Sequence, residues 1–182
     1  YVARKDVLIC PNGIPEALSE EPTAKRNNSI PHLLFLSNLL VDKGVFTLLD
    51  ACKILKEKGY SFVCNFVGGE TAEIDSARFE QEVKARGLNQ IIRYEGKKYG
   101  KEKSESFQNA DIFVFPTYYS NECFPLVLLE AMQQGLPCIS TNEGGISEII
   151  IPDETGCIIK KKSPQELADK IEFLLNNPNK RI

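Results

Sequence analysis

Short apolar segments alternate along this chain with longer segments whose apolar residues recur at helical spacing. The short segments are rich in β-branched and aromatic residues and are bounded by turn residues or charges, so each predicts a β-strand. These predicted strands are residues 7–10, 32–36, 62–67, 91–94, 112–115, 138–140 and 157–159. The longer segments predict amphipathic helices. These predicted helices are residues 45–58, 76–86, 102–108, 125–134 and 164–176.

This alternation constrains the fold, because strands that are hydrophobic on both faces need helices on both sides. Such strands form a parallel sheet whose crossover helices cover both surfaces. The sequence therefore predicts an α/β fold with a doubly wound, mostly parallel, Rossmann-like sheet. In sheets of this type, ligands bind beyond the carboxyl ends of the strands, where loops and helix N-termini converge. We therefore expect the functional residues in those loops.

The composition excludes several classes of protein. A length of 182 residues with 42% hydrophobic residues suits one domain with a sizeable core. The net charge is −3 without a long basic run, which argues against nucleic acid as a partner. The six cysteines form no C-x-x-C pair, and the single histidine, His32, begins a predicted buried strand, so we expect reduced thiols and no metal site. No apolar run approaches the ~20 residues that span a bilayer, and we expect a cytoplasmic protein.

The most informative loop follows the predicted strand 112–115 and leads directly into a helix. Residues 120–132 read SNECFPLVLLEAM. Pro125 suits the first helical position, where its missing N–H costs nothing, so the residues before it should lie over a helix N-terminus. Such an N-terminus attracts anions. We expect Glu122 beside that anion and Glu130 in the second turn of the helix.

The two carboxylates suit ligand binding better than acid–base chemistry at one bond. A carboxylate that accepts hydrogen bonds from vicinal hydroxyls can hold a sugar or a ribose, each charged bond being worth about 1.5–3 kcal/mol when shielded. The alternative is that Glu122 caps the helix and Glu130 is a solvated helix residue. Apolar neighbours surround Glu130, an unusual place for a carboxylate without a partner, which favours the binding interpretation.

The loop after the predicted strand 32–36 is a second candidate site. It contains Lys43 followed by Gly44, a residue that permits close approach of a ligand. A lysine at the start of a helix is usually only solvated, but this one follows the carboxyl end of a strand, which favours function. Asn38 lies too early to cap the helix, and we expect it beside a ligand.

Seven motifs in this chain resemble those of one protein family. The segment from Glu122 to Glu130 resembles the motif of two glutamates separated by seven residues in retaining glycosyltransferase family 4, the group 1 glycosyl transferases, which have the GT-B fold of two facing Rossmann-like lobes. Six further motifs follow the order of that family. They are PNGI at 11–14, LSNLLVDKG at 36–44, FVGG at 66–69, DIFVFPT at 111–117, GLPCI at 135–139 and GGISEI at 144–149.

The resemblance implies a role for each candidate residue. Lys43 would neutralise the diphosphate of a nucleoside diphosphate sugar. Glu130 would bind the ribose hydroxyls, and Glu122 would bind hydroxyls of the transferred sugar. Lys43 and Glu122 are therefore the expected catalytic residues.

The same resemblance implies further contacts from two loops. The backbone around the predicted helix start would line the phosphate and the sugar through Cys123, Phe124 and Leu126. The base would lie after the predicted strand 91–94, near residues 94–97, with Tyr94 and Gly96 as the expected contacts.

One residue departs from the family's pattern. Asn38 stands where the family usually has an arginine beside the lysine, so a planar, permanently charged group is replaced by a neutral amide. We expect phosphate affinity to be weaker or to be supplied in part by another group. The basic cluster Lys97, Lys98, Lys101 and Lys103 is interpreted as a solvated helix face without assigned chemistry.

The resemblance implies transfer of a sugar from a nucleoside diphosphate sugar, with retention at the anomeric carbon. The expected donor is a UDP-sugar or a GDP-sugar. No cofactor and no metal ion are expected. The sequence has no Asp-x-Asp motif. We expect residues 1–182 to form the C-terminal, nucleotide-sugar-binding domain and to bind the donor without transferring sugar. The expected N-terminal lobe, absent from this chain, would bind a glycan or lipid-linked acceptor in polysaccharide biosynthesis, with peripheral association of the full-length protein at the inner face of the membrane.

Two alternative functions stay open at this point. A dinucleotide-binding oxidoreductase would share the general fold, but no Gly-x-Gly-x-x-Gly lies between the first strand and the first helix. A non-catalytic, nucleotide-sugar-binding regulatory module would agree with the neutral Asn38. The presence of both Glu122 and Glu130 argues against such a loss of catalysis.

Overall fold

The computed structural model describes residues 12–15, 30–152 and 154–181. These residues form a sheet of six parallel strands in the order β3-β2-β1-β4-β5-β6. The strands are β1 (His32–Leu36), β2 (Val63–Val67), β3 (Ile92–Tyr94), β4 (Ile112–Phe115), β5 (Cys138–Thr141) and β6 (Gly156–Ile159). The α-helices are α1 (Val45–Glu57), α2 (Ser76–Ala85), α3 (Gly100–Gln108), α4 (Leu126–Gln133), α5 (Ile146–Ile149) and α6 (Pro164–Asn176). Short 3-10 helices lie at Val41–Lys43 and Pro178–Lys180.

The centre of the sheet is buried on both faces. Every residue of β4 and β5 is buried, as are the three central residues of β1. Aromatic rings extend this core from strand to strand: the ring centroid of Phe35 lies 5.0 Å from that of Phe66 and 6.4 Å from that of Phe115. Continuous hydrophobic strands of this kind require helices on both sides. The structure therefore confirms the predicted doubly wound, parallel α/β fold.

The direction in which the chain adds strands reverses between β1 and β4. From β1 the chain moves outward through β2 to β3, then returns to place β4 on the other side of β1 and moves outward again to β6. Loops that leave neighbouring strands at such a reversal point diverge and open a crevice at the carboxyl edge of the sheet. In this chain they are the loops that carry Asn38, Lys43 and Glu122.

Most predicted elements agree with the observed ones to within two residues, and those at 32–36, 112–115 and 164–176 agree at both ends. Pro125 differs from its predicted place, because it is the N-cap of α4, with extended backbone (ψ 104°), and Leu126 is the first helical residue. The short helix α5 was not predicted. The predicted strand 7–10 and most of the predicted loop 16–31 lie outside the described residues.

Candidate functional site

Glycines bring the loops at the carboxyl edge into close contact. A Cβ on Gly144 would lie 1.9 Å from the carbonyl oxygen of Glu122, and one on Gly44 would lie 2.2 Å from that of Pro116. Both glycines also have positive φ, 53° and 84° respectively, which other L-residues rarely adopt. The backbone N–H of Gly145 donates a 2.6 Å hydrogen bond to the carbonyl of Cys123. The loops after β1, β4 and β5 are thereby fixed against one another.

Lys43 and Glu122 form an ion pair at the centre of this edge. The Nζ of Lys43 lies 2.5 Å from Oε2 of Glu122, and the side chains are only 15% and 10% exposed. The hydroxyl of the buried Thr117 lies 3.3 Å from the same carboxylate oxygen. The ammonium also lies 4.6 Å from the ring centroid of Tyr119, within cation–π range. The sequence placed these residues on different parts of a donor and did not predict that they would bind each other.

Glu130 forms a second ion pair, with Lys103 of α3. The Lys103 Nζ lies 2.6 Å from Oε1, and the side chains of the lysine and the glutamate are 30% and 28% exposed. The other oxygen, Oε2, is buried and has no hydrogen-bond partner among the described residues. An open groove of about 390 Å³ between α3 and α4 runs past the carboxylate, lined also by Tyr99, Phe107 and Gln133. Interpreting Lys103 only as part of a solvated face was therefore incomplete, because it orients Glu130.

Asn38 joins the loop after β1 to the loop after β2. Its side-chain oxygen accepts a 3.2 Å hydrogen bond from the N–H of Gly69. The loops are in close contact here, since a Cβ on Gly68 would lie 1.8 Å from the carbonyl oxygen of Ser37. The sequence indicated that Asn38 lies too early to cap α1, and the N-cap of that helix is indeed Gly44. A neutral amide therefore stands at this edge of the crevice.

Tyr94 and Gly96 support the loop after β2 from the other side. The hydroxyl of Tyr94 donates to the carbonyl of Gly68 (3.0 Å), while the N–H of Gly68 donates to the carbonyl of Gly96 (2.8 Å). Burial, together with the negative charge of Glu70, raises the pKa of Tyr94. The ring of Tyr94 packs 5.4 Å from that of Phe79. Tyr94 therefore has a structural role whether or not a base lies beside it.

The start of α4 has no side-chain cap. Its N-cap is a proline, whose side chain has no group to accept from the first-turn N–H groups. Cys123 is exposed before it, and Phe124 is half-buried. A Cβ on Gly145 would lie 3.1 Å from the Phe124 ring. This geometry leaves the positive end of α4, beginning at Leu126, available to an anion.

Metal binding and membrane insertion each require a particular arrangement of side chains. Within residues 12–15, 30–152 and 154–181, no group of three or more His, Cys, Asp and Glu side chains is arranged to hold a metal ion. His32 lies at the start of β1, where its N–H donates to Asp111 (2.8 Å). In the same ranges, no helix combines the length and the apolar character needed to cross a membrane.

An all-parallel sheet in this strand order, with charged loops gathered at its reversal point, places the chain among the Rossmann-like domains found in GT-B glycosyltransferases. The chain belongs to the family described as Glycosyl transferases group 1, whose model matches residues 19–182. The family that the motifs resembled is thus confirmed.

Three similar proteins illustrate the relationship. The capsular polysaccharide biosynthesis glycosyltransferase CapM of Staphylococcus aureus is 28% identical over 147 residues, which are 81% of this chain but only 37% of CapM. The crystal structure of the C-terminal domain of a group 1 family protein, LpcC of Francisella tularensis, matches with a TM-score of 0.72 and 29% identity, over 84% of this chain and 80% of that one. Anabaena HepE in complex with UDP and glucose matches in fold, with a TM-score of 0.75 and 21% identity over 84% of this chain and 40% of HepE.

Proposed function

We propose that this chain is the donor-binding, C-terminal lobe of a glycosyltransferase that binds a nucleoside diphosphate sugar. In the full-length protein, the sugar would be transferred with retention and without a metal ion. The observation that carries the proposal is the state of Glu130: one oxygen is held by Lys103 and the other is buried without a partner beside an open groove. A buried carboxylate oxygen without a hydrogen bond costs free energy, and a ligand hydroxyl that donates to it would remove that cost.

Glu130 fits the ribose of such a donor. The Lys103 ammonium holds Oε1, which restricts the orientation of the carboxylate before a ligand binds and lowers the cost of ordering it. In this proposal, a ribose hydroxyl donates to Oε2, and the base extends from the ribose toward the loop that contains Gly96.

The anionic part of the donor would lie at the start of α4. The N–H groups of the first turn and the ammonium of Lys43 supply positive charge there. The diphosphate would compete with Glu122 for Lys43 and release the Glu122 carboxylate to accept from hydroxyls of the sugar. As the sugar leaves, negative charge grows on the diphosphate, and these same groups would stabilise it.

Comparison with relatives supports the division into lobes. The chain spans 37% of the length of CapM, whereas it spans 80% of the separately crystallised C-terminal domain of LpcC. The acceptor would therefore be bound mainly by another part of the full-length protein. The name of CapM, which refers to capsular polysaccharide biosynthesis, makes a glycan or lipid-linked acceptor our proposal for this protein too.

Calorimetric titration with UDP, GDP, ADP and TDP and their common sugar conjugates tests the donor site. We expect the chain to prefer one base. Glu130→Ala should weaken binding of that nucleotide about tenfold, which corresponds to the loss of one shielded charged hydrogen bond. Glu80→Ala, which removes an exposed carboxylate of α2, is the matched control and should leave binding unchanged. Absence of binding by every nucleotide at millimolar concentration would overturn the proposal for this chain.

A further inference from the structure

The proposed donor site has little net positive charge of its own. Lys43 is paired with Glu122, Lys103 is paired with Glu130, and Asn38 is neutral. The end of α4 contributes only about half an elementary charge. A nucleoside diphosphate is a polyanion, so an unpaired cation near the crevice would contribute strongly to its binding.

The basic cluster after β3 contains one such cation. Lys98 pairs with Glu95, Lys101 with Glu105 at 3.8 Å, and Lys103 with Glu130. Lys97 forms no ion pair or hydrogen bond with any residue that the structure describes. The four lysines are alike in sequence, but among residues 12–15, 30–152 and 154–181 only the first of them has no carboxylate partner.

The side chain of Lys97 points toward the crevice. A Cβ built on Gly69 would lie 2.2 Å from Cε of Lys97, 3.2 Å from its Nζ and 3.0 Å from Oδ1 of Asn38. Lys97 follows β3 at the edge of the sheet, Gly69 follows β2, and Asn38 follows β1. The lysine therefore crosses the end of β2 in the direction of the reversal point. The missing side chain at Gly69 leaves the space in which it lies.

We propose that Lys97 is a specificity-determining residue whose ammonium binds the diphosphate of the donor, supplying charge that neutral Asn38 does not. This inference rests on the proposed donor site and adds one residue to it. Asn38 holds the loop of Gly69 in place through its side-chain oxygen, and Lys97 supplies the charge. The flexible stem of a lysine allows the exposed ammonium to reach an anion that enters the crevice.

Calorimetry on this chain with UDP and GDP, each compared with its monophosphate, tests the proposal. We expect Lys97→Ala to weaken binding of the preferred nucleoside diphosphate about tenfold, because a charged contact to the second phosphate is lost. Binding of the corresponding monophosphate should weaken less than about threefold. Lys97→Arg keeps the charge and should restore most of the affinity. Lys101→Ala, at a side chain that is 89% exposed, is the matched control.

Gly69→Ala provides a second test that keeps the charge. Its Cβ would displace the flexible end of Lys97, so we expect a loss of diphosphate affinity in the same direction. If the wild-type chain binds the diphosphate and Lys97→Ala binds it equally well, the role of Lys97 is overturned while the donor site stands. If the wild-type chain binds no nucleoside diphosphate, the donor site itself is wrong, and Lys97 has no diphosphate to bind.

Discussion

The two lysine–glutamate pairs of the crevice have similar lengths but different surroundings. In the Lys43–Glu122 pair, which joins the loops after β1 and β4, the carboxylate is contacted by the lysine and by Thr117, and both charged side chains are at least 85% buried. In the Lys103–Glu130 pair, which joins α3 to α4, the side chains are about twice as exposed or more, and one carboxylate oxygen has no partner in the described structure.

This difference separates a closed pair from an open one. In the closed pair each charge already has its partner, so the pair contributes to stability in the unliganded state and a ligand must compete with it. In the open pair one oxygen has no partner, so a ligand hydroxyl can pair with it while Lys103 keeps the other, once a small movement of the side chain exposes the buried Oε2. The two glutamates belong to one sequence motif, yet they should respond differently to substitution.

The largest effect is expected from breaking the closed pair. Lys43→Ala would leave the charge of the Glu122 carboxylate buried and unpaired, and we expect it to lower the free energy of unfolding by about 3–4 kcal/mol and to weaken diphosphate binding about 100-fold. The double variant Lys43→Met with Glu122→Gln should recover most of the stability but not the binding. Denaturant unfolding and calorimetry measure the two properties. Equal loss of stability in the single and double variants would contradict this account.

Displacing the backbone that carries the closed pair should have the next largest effect. Gly144→Ala combines positive φ with a Cβ 1.9 Å from the Glu122 carbonyl, and we expect it to lower the free energy of unfolding by about 2–3 kcal/mol. Gly59→Ala is a matched control, because that residue also has positive φ (87°) but no atom lies within 4 Å of its Cβ. The control should cost about 1 kcal/mol. Equal losses in the two variants would mean that the close contact at Gly144 is unimportant.

A change at the open pair should affect the ligand more than the fold. We expect Glu130→Gln to weaken binding of the preferred nucleotide about tenfold and to leave its 2′,3′-dideoxy analogue unaffected, since the analogue has no hydroxyl to donate. Lys103→Ala should lower the affinity for the nucleotide about threefold, because the lysine only orients the carboxylate. The midpoint of denaturant unfolding should change little in either variant. Equal loss of affinity for both nucleotides would place the ribose elsewhere.

The smallest expected effect is protection of a thiol beside the closed pair. Cys123 is exposed next to Glu122, whereas burial raises the pKa of Cys138 to about 12, so that thiol stays protonated and unreactive at pH 8. We expect a thiol reagent to modify Cys123 before the other cysteines among the described residues, and saturating nucleoside diphosphate to slow that reaction about threefold. Cys123→Ser identifies the labelled site by mass spectrometry. If nucleotide does not change the rate of labelling, the ligand lies away from this loop.

The fold was largely predictable because its signals are local. Continuous apolar runs predict buried parallel strands, and both ends of β1 and β4 were predicted. Helix α5 was missed because its four residues are too few to show helical periodicity. Pro125 was predicted to be the first helical residue, whereas it is the N-cap. A proline at either of these two positions looks the same in the sequence.

For the candidate site, the sequence predicts a set of residues but not the contacts between them. The motif identified Glu122 and Glu130, but their lysine partners come from distant segments, and no spacing rule connects 43 with 122 or 103 with 130. Lys97 and Lys103 look equivalent in the sequence. Only the way in which α3 and the loop after β2 pack shows that one is paired with a carboxylate and the other lies over Gly69.

The reversal of strand order also divides the chain into two halves, which meet along one line in the sheet and again where α1 packs against α6. Residues 30–108 supply β1 to β3, and residues 111–181 supply β4 to β6; in the sheet, the halves join where β1 pairs with β4. Both ion pairs bridge this line, since each takes its lysine from the first half and its glutamate from the second. A ligand that binds both glutamates and either lysine therefore links the halves, and its binding energy opposes their separation. The proposed donor would therefore stabilise the contact between the two halves, and the more so the higher its concentration.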